Sequence, residues 1–113
     1  ALSGGGPLNG EVQEFIRVAF DVPLIQGYGL TESCAVIAAQ AYDDLRPNVA
    51  GANFPSVEIK LVSTPDICDK GGIPYMSTDR HDVNGDSIFG RGEVWARGGS
   101  ITSGYYMMDD KTK

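Results

Sequence analysis

Residues Gln26 to Ala35 read Gln-Gly-Tyr-Gly-Leu-Thr-Glu-Ser-Cys-Ala, and this run gathers the side chains best able to do chemistry. Two glycines flank an aromatic ring, and a hydroxyl and a carboxylate follow side by side. Glycines let a backbone approach a ligand closely. The Tyr28 ring offers a flat apolar face to a base. Thr31 can hydrogen-bond a phosphate oxygen, and Glu32 can hold a hard cation such as Mg²⁺. Together they suit a nucleotide. Each residue also has a plainer use when taken alone. Glu32 serves as a surface or capping carboxylate, Thr31 as a helix or turn cap, Tyr28 as core, and Gln26, Gly27 and Gly29 as turn residues.

The elements around this run must position it. Val12, Phe15, Ile16, Ala19 and Phe20 recur at helical spacing, which predicts an amphipathic helix over residues 9–21. Asn9 suits its N-cap, Glu11 and Glu14 its first turns, and Pro23 its end. A short apolar strand over 23–26 then delivers the glycine turn. Residues 33–41 are small and apolar, which predicts burial, but their period decides neither strand nor helix. Arg46-Pro47-Asn48 breaks that element. Beyond it, Val57, Ile59 and Leu61 alternate with Glu58 and Lys60, a half-buried strand. Val94 and Ala96 alternate with Glu93, Trp95 and Arg97 in a second, expected to pair antiparallel with the first. Residues 64–90, rich in Pro, Gly, Asp and Ser, read as a long surface excursion with a tight turn at Asn84-Gly85. The expected organisation is therefore an α/β segment over 1–46 (helix, short strand, glycine turn) and a mostly antiparallel β segment over 47–113.

Composition excludes several classes of function. The 113 residues carry a net charge of −6 with no basic stripe, which argues against a nucleic-acid partner. The longest uninterrupted apolar run, Cys34 to Ala39, is far short of the roughly 20 residues that a membrane helix needs. No signal peptide opens the chain. Cys34 and Cys68 make neither a zinc pattern nor a disulfide framework, so a reducing, intracellular compartment is expected. The lone His81 reads as a solvated loop residue. Asp79 to Asp86 fails the spacing of a calcium loop. Trp95 and Tyr105 read as packing residues of the β part, and Asp43-Asp44 and Asp109-Asp110 as solvated charge pairs.

Three blocks, in order along the chain, resemble the adenylate-forming enzymes: acyl-CoA synthetases, firefly-type luciferases and peptide-synthetase adenylation domains. Gln26-Gly27-Tyr28-Gly29-Leu30-Thr31-Glu32 is similar to that family's Tyr-Gly-x-Thr-Glu motif. Ser3-Gly4-Gly5-Gly6-Pro7-Leu8 resembles its Ser-Gly-Gly-Ala-Pro-Leu adenine segment, with Gly6 in place of alanine. Gly92-Glu93-Val94-Trp95-Ala96-Arg97-Gly98, then Gly104-Tyr105 and Thr112, resembles its Gly-Glu…Arg-Gly…Gly-Tyr…Thr stretch. Thr-Glu-Ser-Cys-Ala, Pro55 to Val62 and Gly92 to Trp95 look most like the eukaryotic long-chain fatty acyl-CoA synthetases.

The resemblance implies a part of the large N-terminal domain of such an enzyme. It implies ATP, coenzyme A and a fatty acid as substrates, Mg²⁺ as cofactor, and Thr31 and Glu32 as catalytic residues, with Glu32 on the metal. The backbones of Gly4, Gly5, Gly6, Gln26, Gly27 and Gly29, the Tyr28 ring and the Thr31 hydroxyl would hold the nucleotide. Gly27, Ser33, Cys34 and Ala35 would line the acyl channel, although the last three also fit tight packing behind the turn. The family's phosphate loop would precede residue 1, and its ribose-binding aspartate, hinge and mobile lysine would follow Lys113. A piece of a longer enzyme, inactive alone, is the expectation, with peripheral membrane association open to the parent. The alternatives are a ligase for a medium-chain or aryl acid, and a non-catalytic nucleotide- or acyl-binding segment.

Overall fold

The helix begins where a side chain can satisfy its free amides. Asn9 Oδ1 accepts the backbone N–H of Glu11 at 2.8 Å and of Val12 at 3.4 Å, and α1 runs Gly10–Phe20. It stops at Asp21, which takes the left-handed conformation at φ 49°. The computed structural model describes residues 1–112; Lys113, the last residue of the expected β part, lies outside the described residues.

Four short strands form one sheet in the order β1 (Leu2–Ser3), β2 (Ile25–Tyr28), β3 (Ala38–Ala39), β4 (Ala52–Asn53). β1 runs parallel to β2, with Leu2 opposite Ile25. β2 and β3 are antiparallel, Gly27 facing Ala39 and Tyr28 facing Ala38, and β3 pairs in turn with β4. The strand expected over 23–26 therefore starts two residues later and runs on through Gly27 and Tyr28. Pro23 has no N–H to give a ladder, whereas Gly27 and Tyr28 find partners in β3. A single 3₁₀ turn, η1 (Thr31–Ser33), joins β2 to β3.

The chain forms two compact units, Ala1–Glu58 with the stretch from Gly98 onward, and Ile59–Arg97. These boundaries follow contacts, where the division at residue 46 follows composition. Among the described residues the buried apolar side chains are Leu24, Ile37, Ala38 and Val57, and the buried polar residues are Gln13, Gln26, Ser33 and Gln40. Helix α1 differs from the expected amphipathic packing. Gln13 is 0% exposed, while Val12 is 46%, Phe15 68% and Phe20 69% exposed.

The physical reason lies in the carbonyls beneath the helix. Gln13 Nε2 donates to Leu24 O and to Gln40 Oε1, both at 3.0 Å. One turn on, Arg17 donates from Nε to Leu24 O at 2.9 Å, from Nη1 to Leu45 O at 3.0 Å and from Nη2 to Asp44 O at 3.3 Å. Only a polar face can satisfy these groups, so the helix turns Gln13 and Arg17 inward. The apolar stripe faces outward.

The second unit holds most of β5 (Val57–Val62) and β8 (Glu93–Gly98), which pair with each other, and the antiparallel pair β6 (Thr64–Cys68) and β7 (Pro74–Tyr75). The supposed excursion 64–90 thus contains a hairpin. Its anchor is Arg91, which reaches Asp69 at 2.5 Å, Asp79 at 2.7 Å and Pro74 O at 3.2 Å, and lies over the Tyr75 ring at 5.0 Å. Arg91 holds both carboxyls below their ordinary range. The turn at Asn84-Gly85 is present, with Gly85 N donating to Asp82 O at 3.1 Å, inside a bridge between His81 and Ser87.

Three surface expectations change. Asp44 is paired with Arg46, whose guanidinium at 2.7 Å brings its carboxyl down to about 2. Trp95 is 55% exposed and is not core; its Nε1 donates to Glu93 and Lys60 sits over its ring at 5.7 Å. Cys34, Ala35 and Ala41 are exposed, unlike the rest of the small apolar run 33–41.

Replacing Gln40 by Leu removes the acceptor shared by Gln13 Nε2 and the backbone N–H of Gln26. Orphaning such buried donors costs about 1–3 kcal/mol, so Gln40→Leu is expected to lower stability by that amount in denaturant unfolding of the protein.

Candidate functional site

A cleft of about 430 Å³ opens on the first unit, lined by Gly5 to Leu8, by Gln26 to Leu30 and by Asn48 to Ala50. Two sequence blocks predicted to serve a nucleotide therefore meet in one place. Gln26 ties them together. Its Oε1 accepts the Leu8 backbone N–H at 3.3 Å, its Nε2 donates to Gln13 Oε1 at 2.8 Å, and its own backbone N–H donates to Gln40 Oε1 at 2.7 Å. Gly5, Gly6, Gln26, Gly27, Tyr28 and Gly29 all border the cleft; Gly4 does not. Nothing in the sequence singled out Asn48, Val49 and Ala50 as wall, because a break such as Arg46-Pro47-Asn48 carries no ligand signal.

The glycines of the central run act in different ways. A Cβ on Gly29 would lie 1.6 Å from Ala35 O, so the turn after β2 closes only over a glycine. Gly5 takes φ +85°, and a Cβ there would meet nothing within 4 Å. Gly29 thus answers an internal close approach, whereas Gly5 leaves room at the cleft.

Beyond Leu30 the chain makes a tight knot. Ser33 Oγ accepts the Leu30 N–H at 2.9 Å and donates to Leu30 O at 2.8 Å. Cys34 and Ala35 follow at φ 52° and 97°, conformations that cost non-glycine residues on the order of 1–3 kcal/mol each. The strained turn presents Thr31 exposed and Glu32 half-buried, while Ser33 is buried in the knot.

Glu32 is held at both ends. Its backbone oxygen accepts the Thr102 N–H at 2.8 Å, and Tyr105 donates its phenol hydrogen to Oε1. That hydrogen bond keeps the Glu32 carboxyl below its ordinary range and raises the Tyr105 phenol. Tyr105, expected to be packing in the β part, instead belongs to the first unit and meets the central motif. The contact spans 73 residues of sequence, and no local signal in the sequence pointed to it.

The donor set decides whether a magnesium ion fits. No cluster of three His, Cys, Asp or Glu able to cage a metal occurs among the described residues. Mg²⁺ is commonly bound by one or two carboxylates together with substrate phosphates. Glu32, an ionised carboxylate two residues past the cleft-lining Leu30, fits that mode.

A model of the AMP-binding enzyme family matches residues 1–106, and the chain belongs to this family. It is 38% identical over 112 residues to fatty acyl-CoA synthetase B of Dictyostelium discoideum, covering 99% of this chain and 15% of that protein. It is 37% identical over 113 residues to long chain acyl-CoA synthetase 5 of Arabidopsis thaliana, again covering 99% and 15%. The chain thus spans about 15% of the length of these curated relatives. Among solved structures it superposes on an anthranilate CoA ligase in complex with anthranoyl-AMP, with TM-score 0.70, 21% identity, and coverage of 98% of this chain and 18% of that one. A benzoate CoA ligase from Burkholderia xenovorans LB400 gives TM-score 0.68 at 20% identity, covering 98% and 19%. The fold is the mixed α/β fold of these enzymes, mostly strands with one helix.

A Cβ on Gly29 overpacks the turn, and such overpacking costs about 1–3 kcal/mol, so Gly29→Ala is expected to lower stability by at least that amount in denaturant unfolding. An unchanged midpoint would mean that the turn tolerates a side chain at this position.

Proposed function

We propose that the protein carrying this chain is an ATP-dependent acid–thiol ligase acting on long-chain fatty acids. The supporting observation is that the Gly5-Gly6 and Gln26–Gly29 blocks share one cleft, with Thr31 and Glu32 on the turn leaving it. Sequence likeness to relatives named for fatty and long-chain acyl groups, at 38% and 36% identity, supports a long-chain fatty acid as the substrate. The fatty carboxylate oxygen bonds to the α-phosphorus of ATP and pyrophosphate leaves. The thiol of coenzyme A then attacks the acyl carbon, releasing AMP and giving the thioester.

In this reading Gly4, Gly5 and Gly6 and the backbones of Gln26, Gly27 and Gly29 accommodate the adenine nucleotide, and Tyr28 packs on the base. Thr31 donates to an α-phosphate oxygen. Glu32 holds Mg²⁺, which supplies charge neutralisation on the phosphates. The protein's own contribution is alignment of two anionic reactants that otherwise repel. Gly27, Cys34 and Ala35 stand at the start of the acyl path, whereas Ser33, buried and closed on Leu30, packs behind the turn. The exposure of Cys34 and Ala35 within this chain leaves them free to face a wall supplied elsewhere in the protein.

No helix among the described residues is long and apolar enough to cross a membrane. We place the protein inside the cell, in the cytoplasm or peripherally on an organelle membrane. Relatives at 38% and 35% identity are named as peroxisomal.

Glu32→Gln keeps the shape of the side chain and removes its charge. In the full-length protein it is expected to cut acyl-adenylate formation at least a hundredfold with an unchanged melting temperature; full pyrophosphate release at low Mg²⁺ would exclude the metal role. Ala35→Phe tests the acyl path. Each buried methylene that the ring excludes forfeits about 0.8 kcal/mol, so kcat/KM should fall more for long acids than for short ones. A uniform fall across chain lengths would assign Ala35 to packing alone.

A further inference from the structure

We propose that Tyr105 is a positioning residue for Glu32, holding one carboxylate oxygen so that the other is presented to the nucleotide-bound cation. This inference rests on the metal role given to Glu32 above. Its own support is geometric. The phenol hydroxyl of Tyr105 donates to Glu32 Oε1, which leaves Oε2 for a cation. The backbone beneath Glu32 is fixed independently, because Thr102 N–H donates to Glu32 O at 2.8 Å. The carboxylate is thus gripped at its head and its stem by the same segment, residues 102–105.

That segment is built to hold its shape. The Tyr105 N–H donates to Thr112 Oγ1 at 2.9 Å, and Thr112 Oγ1 donates to Met108 O at 3.1 Å. Thr102 Oγ1 donates to Gly104 O at 3.1 Å. A Cβ on Gly104 would lie 2.3 Å from Thr112 Cγ2, so a side chain there would displace the Thr112 hydroxyl that accepts the Tyr105 N–H. The Gly104-Tyr105…Thr112 pattern is then a clamp whose output is the direction of one phenol. A glutamate on an exposed 3₁₀ turn has three rotatable side-chain bonds, and fixing it beforehand removes an entropic cost of metal binding.

The test uses the full-length enzyme with ATP bound, titrated with Mn²⁺ and followed by electron paramagnetic resonance, alongside steady-state kinetics. Tyr105→Phe keeps the ring and deletes the donor. It is expected to raise the Mn²⁺ concentration for half-occupancy roughly three- to tenfold, because the carboxylate must then be immobilised as the metal binds. The kinetic Mg²⁺ requirement should rise in parallel, with KM for the fatty acid unchanged and kcat recovered at high Mg²⁺. The double variant Glu32→Gln with Tyr105→Phe should bind Mn²⁺ no more weakly than Glu32→Gln alone. A wild-type Mn²⁺ curve for Tyr105→Phe beside a weakened one for Glu32→Gln would overturn the positioning role only. So would a loss of kcat that high Mg²⁺ does not restore. Wild-type curves for both single variants would remove the metal role of Glu32, and the positioning role with it.

Discussion

Three buried amides organise the first unit. Gln13 on the helix, Gln26 on β2 and Gln40 after β3 hydrogen-bond to one another and to backbone groups of the helix-to-strand and strand-to-loop connections. Burying an amide without partners costs several kcal/mol, whereas a satisfied network is rigid and specific. The apolar core around it is small: Leu24, Ile37, Ala38 and Val57. Register between helix and sheet is therefore set by directional bonds more than by side-chain volume. The same network reaches the cleft, because Gln26 also receives the Leu8 N–H. The two loops that border the cleft are thereby tied to one buried point.

The turn after β2 follows from a second constraint, close backbone approach. Gly29 allows the chain to fold back onto Ala35, and Ser33 closes the loop on Leu30. Cys34 and Ala35 accept left-handed conformations there. Such strain persists only where the surroundings over-determine it, and here the sheet on one side and the Ser33 knot on the other supply that. The result carries Thr31 and Glu32 on a backbone with little freedom, directly after Leu30, the last residue of this run to line the cleft.

Much of this was legible in the chain itself. The N-cap at Asn9, the helical period and the helix stop before Pro23 are local signals, and the helix formed within one residue of its expected ends. The motif blocks named the family because each needs particular residue types: glycine where backbone must come close, and a carboxylate beside a hydroxyl where phosphate and cation meet. The hairpin within 64–90 was hidden because its strands are short and rich in Pro and Asp, and because Arg91, its anchor, looks like any surface arginine before folding.

Tertiary structure alone decided which face of the helix is buried. A hydrophobic period fixes the helix but not its partner, and here unsatisfied carbonyls of Leu24, Asp44 and Leu45 drew the polar face of Gln13 and Arg17 inward. It also decided that Gly29 serves packing and that Asn48 to Ala50 complete the cleft. Above all it brought Tyr105 to Glu32 across 73 residues. Local chemistry determines elements and the groups they carry. Contacts between distant residues depend on how the elements satisfy one another's polar groups, and a linear sequence does not state that pairing.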